Sequence, residues 1–196
     1  MRKLVVKCML RCFLITTDNK KTRSIFIMSK KITTREIAFG AVIAALYVAL
    51  TLINPLSFGE VQLRFSEILV LLCYYNPVFC VPMILGCFIA NFIASPFGWI
   101  DMLLGTAGTA LAVFFMSRVR NMWVSSLLPV VTNAVMVGIM LTYFVGLPFP
   151  LWQNMLFVGA GQFVVITVIG VPLFKYVLEK NKAFMGIICT KSTKSN

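Results

Sequence analysis

The feature that most constrains this chain is a succession of long apolar segments, each cut off by a Pro-, Asn- or Gly-containing turn and nearly free of charge. Ile37 to Ile53 ends at Asn54–Pro55, and Val78 to Ala94 ends at Ser95–Pro96. Trp99 to Ser117, Met122 to Phe144 and Trp152 to Tyr176 follow, separated by a polar turn at 118–121 and by Gly146 to Pro150. A shorter apolar run, Phe65 to Tyr75, stops at Asn76–Pro77. A helix crossing a bilayer needs ~20 mostly apolar residues. With 60% hydrophobic and 12% charged residues, no packed globule hides that much apolar side chain. The reading is all-α: a polytopic membrane protein with six transmembrane helices and no soluble domain.

A formal net charge of +12 suggests nucleic acid until its placement is considered. Ten of the eighteen basic residues precede Glu36 and five follow Val171, so the charge sits on two tails, and no nucleic-acid surface is expected. Because Lys and Arg concentrate on the cytoplasmic side of membrane proteins, both termini are expected inside. That orientation leaves Arg64 as the one basic residue outside. Residues 1–28 read as a basic extension, 29–182 as the six-helix domain and 183–196 as a cytoplasmic tail. Met28 opens MSKKITTREIAFG, which resembles a natural start.

The chain has no histidine, which removes the commonest general base and metal ligand. Its six cysteines show no CxxC spacing and read as reduced thiols. No metal, cofactor or catalytic residue is expected, and without a phosphate-cradling motif the chain is no ATPase by itself.

Charge inside the spans is costly and seldom kept without a task. Between Glu36 and Arg118 the charged residues are Glu60, Arg64, Glu67 and Asp101. A helical rise of ~1.5 Å per residue places Glu67 roughly 9 Å into a second helix starting near Val61. The same rise puts Asn91 about 6 Å from the outer end of the third helix and Asp101 about 3 Å into the fourth. The polar groups therefore gather in the outer half, as in a pocket open to the outside and unlike a through-pore. Blander roles stand beside this one. Glu67 pairs with Arg64 three residues earlier, Asp101 is a first-turn acid favoured by the helix dipole, and Ser57 and Glu60 form a capping box. Asn91 and Asn133 bond between helices, and Trp99 and Trp152 anchor at the interface. Ala41, Ala45 and Ala49 form a small-residue stripe that serves either packing inside the bundle or docking of another membrane protein. Gly105, Gly108 and Ala112 form a weaker, internal one.

Three stretches, VQLRFSEILVLLCYYNP (61–77), LGCFIANFIASPFGWIDMLLGTAGT (85–109) and the alanine-rich first helix, resemble the QueT family. These are queuosine-precursor substrate-binding subunits (S-components) of energy-coupling-factor transporters. The resemblance implies a six-helix S-component in the bacterial cell membrane that binds its ligand near the outer face. It also implies a membrane T-component and two cytoplasmic ATPases as partners, with Ala41, Ala45 and Ala49 meeting the T-component. The implied ligand is a 7-deazaguanine base with a cyano or aminomethyl substituent. A carboxylate suits the two adjacent N–H donors of such a base, Glu67 first and Asp101 second. Asn91, Arg64 or Gln62 suits its carbonyl, and Trp99 or a nearby Phe suits its flat face. The rival readings are an S-component for a different vitamin or base, a membrane-embedded enzyme using Glu67 and Asp101, and a helper subunit without ligand.

Overall fold

The computed structural model describes residues 34–59, 61–119 and 121–181, with Met185 and Ile188. The extension at 1–28, the tail at 183–196 apart from those two residues, and Glu60 with its proposed capping box lie outside the described residues. Every regular element among the described residues is helical.

The first helix, α1, runs from Thr34 to Ile53 and ends where Asn54–Pro55 withdraws the next helical N–H. After a loop, α2 occupies Phe65–Tyr75, as a tight 3-10 segment over Phe65–Leu71 and a single α-turn over Leu72–Tyr75. A 3-10 turn at Pro77–Phe79 leads into α3, Cys80–Ala94, and Trp99–Met116 forms α4. Met122–Ile139 forms α5, which continues in wide π-type turns to Val145. Leu151–Gln162 opens α6, which continues through π-type turns on either side of Pro172 to Leu178. Five of these helices are long and apolar enough to cross a membrane, and α2 is the shorter apolar sixth. The chain is therefore a six-helix membrane protein, with the spans within a few residues of those read from the sequence.

The packing partners of the helices form a ring. α1 packs on α3, α3 on α4, α4 on α5 and α5 on α6, while the 3-10 part of α2 closes the circle between α6 and α1. That position explains the burial of Val70, Leu71, Leu72, Cys73 and Tyr75 in the apolar core. The side chains are arranged inside out relative to a soluble bundle. Val42, Phe92, Phe114, Val131, Leu156 and Val168 are exposed, whereas Glu67, Asn91, Asp101, Asn133 and Gln162 are buried. Lipid is the solvent such a surface requires.

Helix α1 approaches α3 through small residues. A Cβ on Gly40 would meet the Pro82 ring at 2.7 Å, and one on Gly86 would meet the Ala44 backbone at 3.2 Å. The buried residues of α1 are thus Glu36, Gly40, Tyr47 and Thr51, while Ala41, Ala45 and Ala49 are exposed. On α4 the Gly105, Gly108 and Ala112 face is internal, as expected.

Candidate binding site

The site lies at the end of the bundle where α1 finishes and α4 and α6 begin, and the loop 54–64 builds most of it. Asn54 folds this loop on itself: its side-chain oxygen accepts from the Leu56 N–H at 3.1 Å and its amide donates to the Leu63 carbonyl. The Leu63 N–H returns to the Leu56 carbonyl at 3.1 Å. The cap of the short Pro55–Phe58 turn is therefore Asn54, an Asx-type contact. A cleft of about 290 Å³ runs along the loop between Leu56, Gly59, Val61, Gln62 and Leu63.

The loop descends into the bundle. The Val61 carbonyl oxygen rests where a Cβ on Gly161 would stand, and Gly161 is ten residues into α6, ~15 Å below that helix's start. This descent allows α2 to be short. Seven residues at ~2.0 Å and four at ~1.5 Å cover ~20 Å, less than the ~30 Å hydrocarbon thickness. At the bottom of the descent Gln62 adopts φ +31°, a conformation rare for any residue but glycine, with its side chain buried. Backbone strain of this kind persists only where surrounding contacts enforce it, and it concentrates at functional sites.

Arg64 pins the loop to α4. One guanidinium nitrogen lies 3.3 Å from Asp101 Oδ2, Nε donates to the Ser57 carbonyl at 2.9 Å, and the cation sits 4.7 Å from the centre of the Phe58 ring. Both partners of the ion pair are buried, Arg64 at 3% exposure and Asp101 at 0%. Burial by itself disfavours the guanidinium cation, but the acidic groups around it, Asp101 foremost and Glu67 among them, together outweigh that effect and hold its pKa above the ordinary arginine value. Asp101 Oδ2 also accepts from Ser95 Oγ at 2.6 Å. The turn that delivers Asp101 passes through Gly98, at φ +64°, where a side chain would be strained. Asn91 closes this corner by donating to the Asp101 backbone carbonyl at 3.3 Å. Gly105 leaves the room, since a Cβ there would meet Asp101 Oδ1 at 2.7 Å and Asn91 Nδ2 at 2.8 Å.

Glu67 takes a different partner. The helix begins at Phe65, so Arg64 is an extended residue ahead of the first turn and the two do not share a helical face. Glu67 Oε1 instead accepts from Tyr47 Oη at 2.6 Å. Tyr47 lies six residues before the end of α1, which sets Glu67 ~9 Å below that end. The sequence took its depth from a second helix starting near Val61, whereas the helix begins at Phe65, two residues before Glu67. Next to Glu67, Ser66 Oγ accepts from Thr51 Oγ1 at 2.7 Å, a second tie from α2 to α1.

Several buried polar atoms of this region have no hydrogen-bond partner among the described residues. They include Glu67 Oε2, Asp101 Oδ1, Asn91 Oδ1 and both amide atoms of Gln62; deeper in the bundle, Asn133 Oδ1 and Gln162 Oε1 do as well. Each such atom costs ~1–3 kcal/mol while unmatched. Acceptors dominate among them.

Of the residues proposed from the sequence, Gln62, Arg64, Glu67, Asn91 and Asp101 are all buried in this region, whereas Trp99 is 66% exposed on the first turn of α4, away from them. An exposed Trp at a helix end is the position of an interface anchor. Sequence reasoning missed Tyr47, Ser95 and Gly161. A tyrosine in an apolar span carries no sign of its partner, and Ser95 reads as a turn residue. Asn133 carries only an interhelical role in the sequence reading, and Gln162 carries none.

The sequence model of the QueT transporter family matches residues 37–180, which holds every residue of the site. A protein of Lactococcus lactis subsp. cremoris (strain MG1363) named queuosine precursor transporter QueT is 36% identical over 99 residues, covering 47% of this chain and 57% of its own. The alignment thus spans little more than half of that relative. No solved structure matches. With the six apolar helices, the acceptor-rich buried site and a family match running from α1 to the end of α6, the chain belongs to the QueT transporter family.

Proposed function

We infer that this chain is the substrate-binding subunit of an energy-coupling-factor importer for a queuosine precursor, a 7-deazaguanine base. The observation that carries the reading is the set of unpartnered buried acceptors around the Arg64–Asp101 pair. The guanine-type edge of such a base presents two adjacent N–H donors beside a carbonyl. Asp101 Oδ1 and Asn91 Oδ1, on side chains that meet at Gly105, are acceptors for the two donors, and Gln62 Nε2 is a donor for the carbonyl. Arg64 serves this site as the pin that holds the loop, because its guanidinium is already engaged by Asp101, Ser57 and Phe58. The relative's printed name supports the substrate class.

To test the reading, the protein is purified in mild detergent and co-purifying small molecules are identified by mass spectrometry. A 7-deazaguanine base is the expected finding. An unrelated vitamin, bound stoichiometrically and displaced by no 7-deazaguanine, overturns it.

In this reading transport is driven by ATP hydrolysis in two cytoplasmic subunits, coupled through a membrane T-component, in the bacterial cell membrane with the N-terminus inside. The exposed Ala41, Ala45 and Ala49 stripe on α1 is the docking face, since close helix approach in lipid favours small residues. Replacing Ala45 with Trp is expected to abolish co-purification of the ATPase module while leaving ligand affinity within about threefold of wild type, because residue 45 faces away from the bundle. Full co-purification removes α1 from the interface.

A further inference from the structure

We propose that the site selects a ligand carrying one positive charge, with the free oxygen of Glu67 receiving the cationic group; this rests on the queuosine-precursor reading above. The charge balance of the site is the starting point. Between Glu36 and Arg118 the sequence holds three acids, Glu60, Glu67 and Asp101, against the single cation Arg64. Arg64 makes its ion pair with Asp101, so the two cancel across 3.3 Å. Glu67 is fully buried and is left with one hydrogen bond, from Tyr47. Its second oxygen has no partner among the described residues.

The groups around Glu67 supply no counter-charge of their own. Tyr47 faces it from α1 as a neutral donor, and Cys87 faces it from α3 as a thiol engaged with Thr109 at 3.3 Å. Arg64, at the head of α2, lies close enough to be stabilised electrostatically by both carboxylates, but the two acids outnumber this one cation. The remaining basic residues of the described spans are Arg35, Arg118, Lys175 and Lys180, all toward the opposite end of the bundle. A buried carboxylate without an ionic partner is strongly disfavoured, and a cation brought in by the ligand relieves that penalty.

Queuosine-precursor bases divide along this property. The 7-cyano form is neutral, whereas the 7-aminomethyl form carries a primary ammonium group that is charged at neutral pH, as a lysine side chain is. Both present the same guanine-type edge to Asp101 and Asn91. Only the aminomethyl base offers Glu67 an ammonium group, with N–H donors for its unpartnered oxygen.

The test is calorimetric titration of both bases into the detergent-solubilised wild-type protein and into Glu67→Gln. Wild type is expected to bind the aminomethyl base at least tenfold more tightly than the cyano base. In Glu67→Gln the aminomethyl affinity is expected to fall at least tenfold while the cyano affinity stays within threefold, which also certifies the variant's fold. Equal wild-type affinities, or tighter binding of the cyano base, overturn the charge selection and leave the queuosine-precursor reading standing. A parallel loss of both bases in a variant with wild-type thermal stability overturns the role of Glu67. Binding of neither base to wild type overturns both readings. Should Glu67→Gln not fold, the wild-type comparison decides the proposal alone.

Discussion

Gly161→Ala is expected to weaken ligand binding at least tenfold and to destabilise the protein by roughly 1–3 kcal/mol, the range for overpacking a close contact. The added methyl would occupy the position of the Val61 carbonyl oxygen, with the Val61 carbonyl carbon at 3.0 Å and the Gln62 oxygen at 3.2 Å. These are backbone atoms, so no side-chain rotation relieves the clash and the loop must lift. Its lower end carries the strained Gln62, and its upper end is tied by Asn54 and by Arg64. Lifting the loop therefore disturbs the Gln62 amide and the Arg64–Asp101 pair together. Gly159→Ala is the matched control two residues away, since its Cβ meets only the Ala134 methyl at 3.4 Å, an ordinary contact. Thermal unfolding and calorimetric titration of the two variants check the prediction. Wild-type affinity and stability in Gly161→Ala would show that the loop does not rest on α6 in the working protein.

Asp101→Asn is expected to cost about 3–5 kcal/mol of stability, the penalty for leaving one member of a buried ion pair without its partner. The substitution keeps the shape of the side chain and removes its charge. Arg64 then remains 3% exposed with a carbonyl and a ring for company but no anion at 3.3 Å. The double variant Arg64→Met with Asp101→Leu is expected to recover much of that loss, because apolar residues of similar volume often replace a buried pair at little net cost. Equilibrium unfolding of wild type, Arg64→Met, Asp101→Leu and the double variant gives the coupling energy directly. Additive effects in that cycle would mean that the pair does not hold loop to helix.

The spans were legible because hydropathy and Pro–Asn punctuation are local properties. Ile53 ends α1 where Asn54–Pro55 requires it, and Tyr75 ends α2 at Asn76–Pro77. The start of α2 was not legible. Val61 to Arg64 look like the first turn of an apolar helix, yet Val61 packs its carbonyl on Gly161 and Gln62 takes a positive φ, so the helix begins only at Phe65. That one difference separates Arg64 from Glu67, which helical spacing had joined. Trp99 shows the opposite limit, for its proximity to Asp101 in sequence says nothing about direction, and on α4 the two side chains diverge into lipid and core.

By itself the sequence determined the helical membrane architecture, the near absence of charge within the spans and the short roster of polar residues from which a site is built. Each of these follows from composition and from spacing within a single helix. Only the tertiary structure decided who meets whom. Tyr47 finds Glu67 across 20 residues, and Arg64 finds Asp101 across 37. Both pairings depend on α2 closing the ring between α6 and α1, on the loop descending to Gly161, and on Gly98 and Gly105 making room on α4. Side chains so far apart in the chain carry no local trace of one another, because their meeting is set by backbone packing and not by spacing along one helix.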